Sequence, residues 1–556
     1  MFKKSFYSVY FALFLICIFS SCSSINKNHF VASIPDFSDS EIVNIEIQRI
    51  QELLEENPIK ALWRASLLKN EDVYASCIKK VQEKMNSLIE EENFFEAEKY
   101  LLSLKSLDLQ YDNHSERQIE NALSKNLLQN ENDKVPEKIS DCIKATATIW
   151  VDRGVKIRNG SGYADIIIGS GFFIDKRGYL VTNYHVIDSM VNPSYEGYSR
   201  LYIKLYEDMD TKIPAKVVGY DKMLDLALVK AEIEPSVVLA LGSSSELNVG
   251  DRVLAIGSPV GLEGTLTSGI ISARDRKLLT LGDVFQVDAA INSGNSGGPL
   301  IDEKMNVQAI VFAGMLAYQG LNFAIPVEYL KQELTALYNE YEIIHPWLGG
   351  YGKTFRMGNS KKGLEVLYVM PGSAAHLSSL KEGDVIKAVN GKEIHTLEDF
   401  QLIMLSFQVG SIVSFDIDSF ADDQVVNGEK NLQGEVLADG VIHKRLCIYL
   451  EERPEFPAKQ VYYSDYISSA FYPLFGMRLV SVDEANRKTF VVSDVLKSST
   501  AEELHFTNDD VITINSIQLD ENDGLLYAQI YARRKKKGFL DVGMIMQTPL
   551  DSPYFF

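Results

Sequence analysis

"INSGNSGGPL", Ile291 to Leu300, is the stretch on which the reading of this chain turns. Ser296 sits in it among three glycines, Gly294, Gly297 and Gly298. A serine hydroxyl is a poor nucleophile near neutral pH. It needs a base, a group that orients the base, and donors for the developing oxyanion. Two other segments carry the missing parts. "LVTNYHVID" places His185 at the end of an apolar strand, and "YDKMLDLALVK" places Asp225 at the start of another. The separations of 40 and 71 residues in the order His185, Asp225, Ser296 are long enough for each group to come from a different strand or turn. The expected roles follow from the chemistry. His185 takes the serine proton, and Asp225 fixes the imidazole tautomer and stabilises the imidazolium. The glycines permit the torsions that aim backbone amides inward. The expected oxyanion donors are therefore the amides of Gly294 and Ser296, with Asn295 between them.

Around this constellation the chain is long and acidic. Its 556 residues exceed one core, and roughly three to five domains are expected. An apolar content of 46% with 24% charged residues is ordinary for globular chains. A net charge of −21 argues against a general nucleic-acid binder. "MFKK" followed by "FYSVYFALFLICIFS" and "SC" reads as a secretory signal over residues 1–21. Ser20 and Ser21 before Cys22 resemble a bacterial lipoprotein signal, so Cys22 is the expected lipidation site, with an ordinary cleaved signal as the alternative. Cys77, Cys142 and Cys447 are scattered and read as free thiols.

The texture of the chain changes three times. Residues 22–40 read as a tether. From 41 to 130 the apolar period is helical: Val43, Ile47, Ile50 and Leu54, then Val73, Cys77, Val81, Met85 and Leu88. "LIEEENFFEAEKYLLSLKSLD" resembles one tetratricopeptide-type hairpin, with a plain spacer of packed helices as the alternative. Residues 131–137 are a linker. Short β-rich runs punctuated by Gly, Asp and Asn fill 138–340 and predict an all-β, barrel-like domain. Beyond it "KEGDVIKAVNGKEI" (381–394) is echoed by "TNDDVITINSIQL" (507–519), which predicts two related modules at 345–452 and 466–556. "ARRKKKG" (532–538) reads as a solvated loop or helix end, with a lipid-headgroup contact as the alternative.

"GNSGGPL", "TNYHVI" and "DLALVK", framed by "GSGFFIDKRGYLVTNYHVI", "AIGSPVGLEGTLTSGIISA" and "NFAIP", resemble the trypsin-like serine proteases of the HtrA/Deg family. The two terminal modules resemble PDZ domains, which follow the protease in that family. The resemblance implies a multidomain chain: an N-terminal α-helical segment, an all-β double-barrel chymotrypsin/trypsin-like protease domain, and two α+β PDZ domains. It implies catalysis by His185, Asp225 and Ser296, and a specificity pocket at Ala290, Asn322, Phe323 and Ala324. Ala290 stands where enzymes that cut after Arg or Lys carry an acid, so cleavage after small or medium apolar residues is expected. The PDZ resemblance implies peptide-binding loops at Leu348, Gly349 and Gly350 and at Leu474, Phe475, Gly476 and Met477, with glycine at 350 where an apolar residue is usual.

The expected function is therefore an exported, membrane-anchored serine endopeptidase of the periplasm or cell envelope. It would degrade misfolded or damaged proteins and hold peptide C-termini in its PDZ domains. A chaperone or peptide-binding scaffold, or a regulatory protease with one substrate, is the alternative. A homotrimer or larger oligomer is implied. No metal, nucleic acid or cofactor is expected: the histidines show no ligand spacing, and no Gly-rich phosphate loop is present. Segments near 154–166, 261–284 and 313–321 are candidate activation loops.

Overall fold

The helical period folds as five helices: α1 (Ser40–Glu56), α2 (Pro58–Leu68), α3 (Glu71–Glu90), α4 (Phe94–Ser106) and α5 (Asn113–Leu127). Asp39, Asn70 and Asn93 cap α1, α3 and α4 by accepting backbone amides, which satisfies donors that a helix start leaves orphaned. The computed structural model describes residues 31–68, 70–127, 135–158, 160–257, 264–279, 281–292, 294–314, 321–420, 435–436, 441–482, 488–535 and 539–556. Residues 1–21, expected to be a secretory signal, and Cys22 lie outside them. Among the described residues no helix is long and apolar enough to cross a membrane.

The β-rich region forms two closed six-strand barrels. After α6 (Ile139–Lys144), the first contains β1 (Thr146–Arg158), β2 (Ser161–Asp175), β3 (Tyr179–Thr182), β4 (Arg200–Leu205), β5 (Asp208–Asp221) and β6 (Leu226–Ala231). A short helix, α7 (Tyr184–Val191), joins β3 to β4. The second barrel contains β7 (Arg252–Gly257), β8 (Thr265–Arg276), β9 (Val284–Val287), β10 (Pro299–Ile301), β11 (Val307–Gly314) and β12 (Asn322–Pro326), and α8 (Val327–Asn339) follows it. Alternation along β1 buries Ala147, Ile149 and Val151, the inward face of the first barrel. Closure leaves no open sheet edge in either barrel.

Two antiparallel modules end the chain. The first has β13 (Pro346–Trp347), β14 (Gly350–Met357), β15 (Ser360–Val369), α9 (Ala374–Leu377), β16 (Asp384–Val389), β17 (Lys392–Glu393), α10 (Leu397–Met404), β18 (Ile412–Phe420), β19 (Glu435–Val436), β20 (Val441–Tyr449) and β21 (Glu451–Glu452). The second has α11 (Pro457–Ser464), α12 (Ile467–Phe475), β22 (Met477–Ser481), β23 (Thr489–Val495), α13 (Thr500–Glu503), β24 (Val511–Asp520), β25 (Leu525–Lys535) and β26 (Phe539–Pro549). The echo seen in the sequence is structural. Gly349 (φ 85°) and Gly476 (φ 80°) both occupy left-handed backbone. Their carbonyls accept the amides of Met370 and Leu496 at 2.7 and 2.9 Å. A Cβ on either would lie 2.3 or 2.2 Å from the Cβ of Ser373 or Ser499, so only glycine fits both turns. The modules differ in one connection. α10 lies between β16 and β18, whereas residues 521–524 form only a turn between β24 and β25. The basic run from 532 is strand rather than loop or helix end as far as Lys535, paired along β26. Residues 536–538 lie outside the described residues.

The helical segment is not a free spacer. It shares a core with the first terminal module, centred on Trp63, which is 1% exposed. The Trp63 indole donates to the Ser378 hydroxyl at 3.2 Å and the Cys447 carbonyl at 3.1 Å. The Ile412 amide donates to Ser103 Oγ at 3.0 Å, and Asn57 Nδ2 to Tyr449 Oη at 2.8 Å. Cys77, Cys142 and Cys447 are free, and burial pushes each thiol up to about 11, away from reactive thiolate character.

Candidate active site

His185 lies not at a strand end but in the first turn of α7, just after β3 and Asn183. Asp225 directly precedes β6 in left-handed backbone, φ 55°. That turn brings its carboxylate back over the start of α7. Asp225 Oδ2 lies 2.7 Å from His185 Nδ1, and Oδ1 accepts the His185 backbone amide at 2.8 Å. The Asp225 carbonyl accepts Asn183 Nδ2 at 2.8 Å and the Tyr184 amide at 3.2 Å. Both carboxylate oxygens are thus held, and the imidazole can turn only its Nε2 edge outward. The His185 side chain is 46% exposed and that of Asp225 8%, so the base faces solvent while its orienter is shielded from it.

Ser296 comes from the other barrel, in the turn before β10. Its hydroxyl donates to the Phe312 carbonyl at 3.3 Å. The Phe312 ring lies edge-on to the His185 ring with centroids 6.5 Å apart, so Phe312 flanks both side chains. Among the described residues no hydrogen bond joins His185 to Ser296. The loop is fixed by residues that sequence reasoning did not single out. Ser170 of β2 donates its amide to the Ser296 carbonyl at 2.8 Å and its hydroxyl to the Gly294 carbonyl at 2.6 Å. Thr182 Oγ1 donates to the Ser170 carbonyl at 2.7 Å. Ser170 lay inside the quoted "GSGFFI" run, but its role needs the fold.

The backbone amides of the serine turn differ in their partners. The Asn295 amide donates to the Asn292 carbonyl at 3.0 Å, and those of Gly297 and Gly298 go to Val311 and Asn295 at 2.8 and 2.9 Å. Those of Gly294 and Ser296 have no partner among the described residues. A Cβ on Gly297, at φ 84°, would lie 2.3 Å from both the Ser170 carbonyl and Thr182 Oγ1.

Ala290 is exposed, and Asn322, Phe323 and Ala324 of β12 are buried beside it. Asn322 Nδ2 donates to the Ala289 carbonyl at 2.8 Å. Asp288, the nearby acid, is occupied: its Oδ1 accepts the Ile270 amide at 2.7 Å. Of the three candidate loops, residues 154–158 and 161–166 extend the β1–β2 hairpin. Residues 277–279 and 281–283 are pinned to the first terminal module, and residue 280 lies outside the described residues. Lys277 pairs with Asp283 at 2.8 Å and with Glu398 of α10 at 2.5 Å. Residues 261–263 and 315–320 lie outside the described residues.

Leu348, Gly349 and Gly350 form a loop at the head of β14, and the amides of both glycines point to one acceptor, the carbonyl of Phe556. Leu474, Phe475, Gly476 and Met477 span the end of α12 and the start of β22. Leu474, Phe475 and Met477 are buried, and the Gly476 amide caps α12 by donating to Tyr472 at 2.9 Å. The shared glycine pattern here also ends a helix.

One buried polar group was not legible in the sequence. Asp221, Glu333 and His345 bring their donor atoms within 4.8 Å of one another, and all three are buried. His345 Nε2 lies 2.9 Å from Asp221 Oδ2. Burial, with Asp221 and Glu340 adding repulsion, pushes the Glu333 carboxyl well above its ordinary range. Two carboxylates and an imidazole could hold a divalent cation or share a proton. The group is buried, is drawn from the end of β5, from α8 and from the segment before β13, and shares no residue with the His185 constellation.

Comparison with known proteins agrees with this architecture. The trypsin-like peptidase domain family matches residues 169–310, the PDZ domain family 343–418, and the TP0546 family PDZ domain 458–550. Residues 41–124 match a domain of unknown function, DUF8517. The "Probable periplasmic serine endoprotease DegP-like" of Hahella chejuensis is 37% identical over 239 residues, 41% of this chain and 49% of that protein. Its namesake from Chlamydia trachomatis is 36% identical over 249 residues, 42% of this chain and 48% of that protein. The chain thus spans about half the length of these curated relatives. A solved structure, "HtrA-type protease AlgW with decapeptide", aligns over 57% of this chain and 99% of that one, at 25% identity and a TM-score of 0.43. A trypsin-like peptidase domain followed by two PDZ-type domains is the order these matches give, and in it the chain is similar to the HtrA/DegP-type serine proteases.

Proposed function

We propose that this chain is an exported serine endopeptidase that cleaves unfolded or damaged proteins of the cell envelope. The observation that carries the proposal is the Asp225–His185 pair at 2.7 Å, with Ser296 presented from the facing barrel. In this reading the Ser296 hydroxyl first rotates from the Phe312 carbonyl toward His185 Nε2, a step between staggered wells. Oγ then attacks the substrate carbonyl carbon as His185 takes its proton. The Gly294 and Ser296 amides receive the oxyanion. His185 returns the proton to the departing amine as the C–N bond breaks and an acyl-enzyme remains. Water attacks that ester with His185 again as base, which frees the acid and restores Ser296. Asp225 stays ionised throughout and stabilises the imidazolium.

An exposed Ala290 and an Asp288 already engaged by the Ile270 amide support cleavage after small or medium apolar residues. Ala290 itself offers a Lys or Arg side chain no carboxylate, and Asp288 directs one of its two oxygens to the Ile270 amide. We place the protein in the periplasm, tethered through a lipidated Cys22, and read the first PDZ domain as a peptide-binding site. A homotrimer is the assembly this reading takes. The test is digestion of casein by the protein beside Ser296→Ala, with mapping of the cut sites. Loss of digestion in the variant and cuts after Val, Ala or Leu are expected. Equal digestion by the variant removes the assignment, and cuts chiefly after Lys or Arg overturn the specificity.

A further inference from the structure

The first PDZ domain is already occupied. β14 is the outer strand of its sheet, paired on one side with β15. On its other side residues 554–556 lie antiparallel, with Tyr351 opposite Phe555. The Gly349 and Gly350 amides donate to the Phe556 carbonyl at 3.1 and 2.9 Å, and the Phe556 amide to the Gly350 carbonyl at 2.9 Å. The Gly352 amide donates to the Tyr554 carbonyl at 3.0 Å. This is strand addition, the mode in which main-chain bonds hold a peptide and alternate side chains fill pockets.

The side chains alternate as a strand requires. Phe556, 5% exposed, sits edge-on to Phe400 of α10 with centroids 5.3 Å apart. Phe555, 2% exposed, turns the other way onto Tyr351 at 5.1 Å. The glycine at 350, which departs from the usual apolar residue, has its reason here. A Cβ there would lie 2.4 Å from the Phe556 ring, and the three nearest atoms it would meet all belong to that ring. A Cβ on Gly352 would lie 2.9 Å from the same ring. Side chains outside the strand hold the approach to this segment. The buried Arg453 donates to the Phe555 carbonyl at 2.8 Å and to Asp551 Oδ1 at 2.7 Å. Gln401 of α10 donates to the Pro553 carbonyl at 2.7 Å.

We propose that the groove between β14 and α10 is built for a peptide that seats a phenylalanine ring over Gly350 and Gly352, and that residues 554–556 of this chain are its resident occupant, which any other peptide must displace. The proposal deepens the peptide-binding reading of the first PDZ domain and rests on it. It commits that site to one ligand chemistry, an extended segment with Phe at the position of Phe556. It also sets a handicap on outside ligands, because apparent affinity falls by the fraction of molecules whose groove is open.

The test uses the full chain with Ser296→Ala, so no step depends on proteolysis, and failure of the protease assignment leaves the titrations unchanged. A fluorescent peptide of sequence Asp-Ser-Pro-Tyr-Phe-Phe is titrated by anisotropy. Exchange of the amides of residues 349–352 is followed by mass spectrometry. Adding Phe556→Asp expels the occupant: peptide affinity rises at least about tenfold, and the amides lose protection until peptide is added. Gly350→Ala fills the place of the ring: the same amides exchange faster and the peptide binds no better than to the parent. A control peptide with Asp in place of its last Phe does not bind the Phe556→Asp protein. The proposal is overturned if Phe556→Asp binds no more tightly than its parent, if its amides stay protected, or if the control peptide binds equally.

Discussion

Replacing Asp225 by Asn probes the site where its geometry is most constrained. The carboxylate accepts two bonds from His185, at 2.7 Å from Nδ1 and 2.8 Å from the backbone amide, and its side chain is only 8% exposed. An amide offers one acceptor where two are needed, and each orientation fails differently. With its NH2 toward the His185 backbone, two donors face each other out of reach of water. That costs stability by about 1–3 kcal/mol. With its NH2 toward the ring, Nδ1 must become the acceptor, so Nε2 carries the proton and cannot take another from Ser296. The second arrangement spares the fold and disables the base. The expected result is a fall in kcat on the order of 10⁴-fold, or about 5 kcal/mol at about 1.4 kcal/mol per tenfold, with an unfolding midpoint near the parent's. The assay is steady-state cleavage of a fluorogenic unfolded protein near neutral pH, run beside thermal unfolding and the Ser296→Ala baseline. A folded Asp225→Asn protein within tenfold of parental activity would refute the reasoning.

Other substitutions test other parts of the account. Gly297→Ala places a Cβ 2.3 Å from the Ser170 carbonyl at φ 84°. We expect activity to fall at least a hundredfold and the unfolding midpoint to drop, by a cost of about 1–3 kcal/mol or more for the backbone strain; parental activity would show that the loop relaxes freely. Trp63→Ala leaves the Ser378 hydroxyl and Cys447 carbonyl without their indole donor and opens a cavity. A loss of about 3–5 kcal/mol is expected, with faster tryptic cutting between α1 and α5 than in the parent. Glu333→Gln addresses pH. Because the folded carboxyl titrates above its unfolded value, the folded state binds more protons once pH passes the ordinary glutamate range, and stability falls as pH rises from there. With a chelator present, the Gln variant should lose that decline and melt higher than the parent at neutral pH. Parallel melting curves would contradict the buried-acid assignment.

What the sequence disclosed depended on how local the physics was. The barrels and the helical segment follow from periods of two and of three to four, and the serine turn follows from its glycines. The Asp225–His185 pairing was legible because the chemistry demands those residue types, although the placement of His185 on a helix was not. Val186, Ile187 and Met190 continue an apolar run that either element would use. Ser170 and Thr182 carry no signature; they matter only because one barrel reaches the turn of the other. Asp221, Glu333 and His345 come from a strand, a helix and the connection after that helix, and meet only in the fold. Gly350 looked like a defect in a loop pattern until the ring of Phe556 was found above it. The glycine pattern of 474–477 carries a second local need that the sequence did not separate: a helix C-terminus wants a left-handed glycine as much as a peptide-binding loop does. The docking of α1–α5 on the first PDZ domain needs a partner surface that no single helix period reveals.

The most direct measurement is covalent labelling with a fluorophosphonate, which reacts with an activated serine and then stays attached. Intact-mass and peptide analysis of the labelled chain should find one adduct, on Ser296, absent from Ser296→Ala and strongly slowed in His185→Ala. An adduct on another serine, or labelling of Ser296 at the same rate without His185, would contradict the claim that the two barrels assemble one nucleophile and its base.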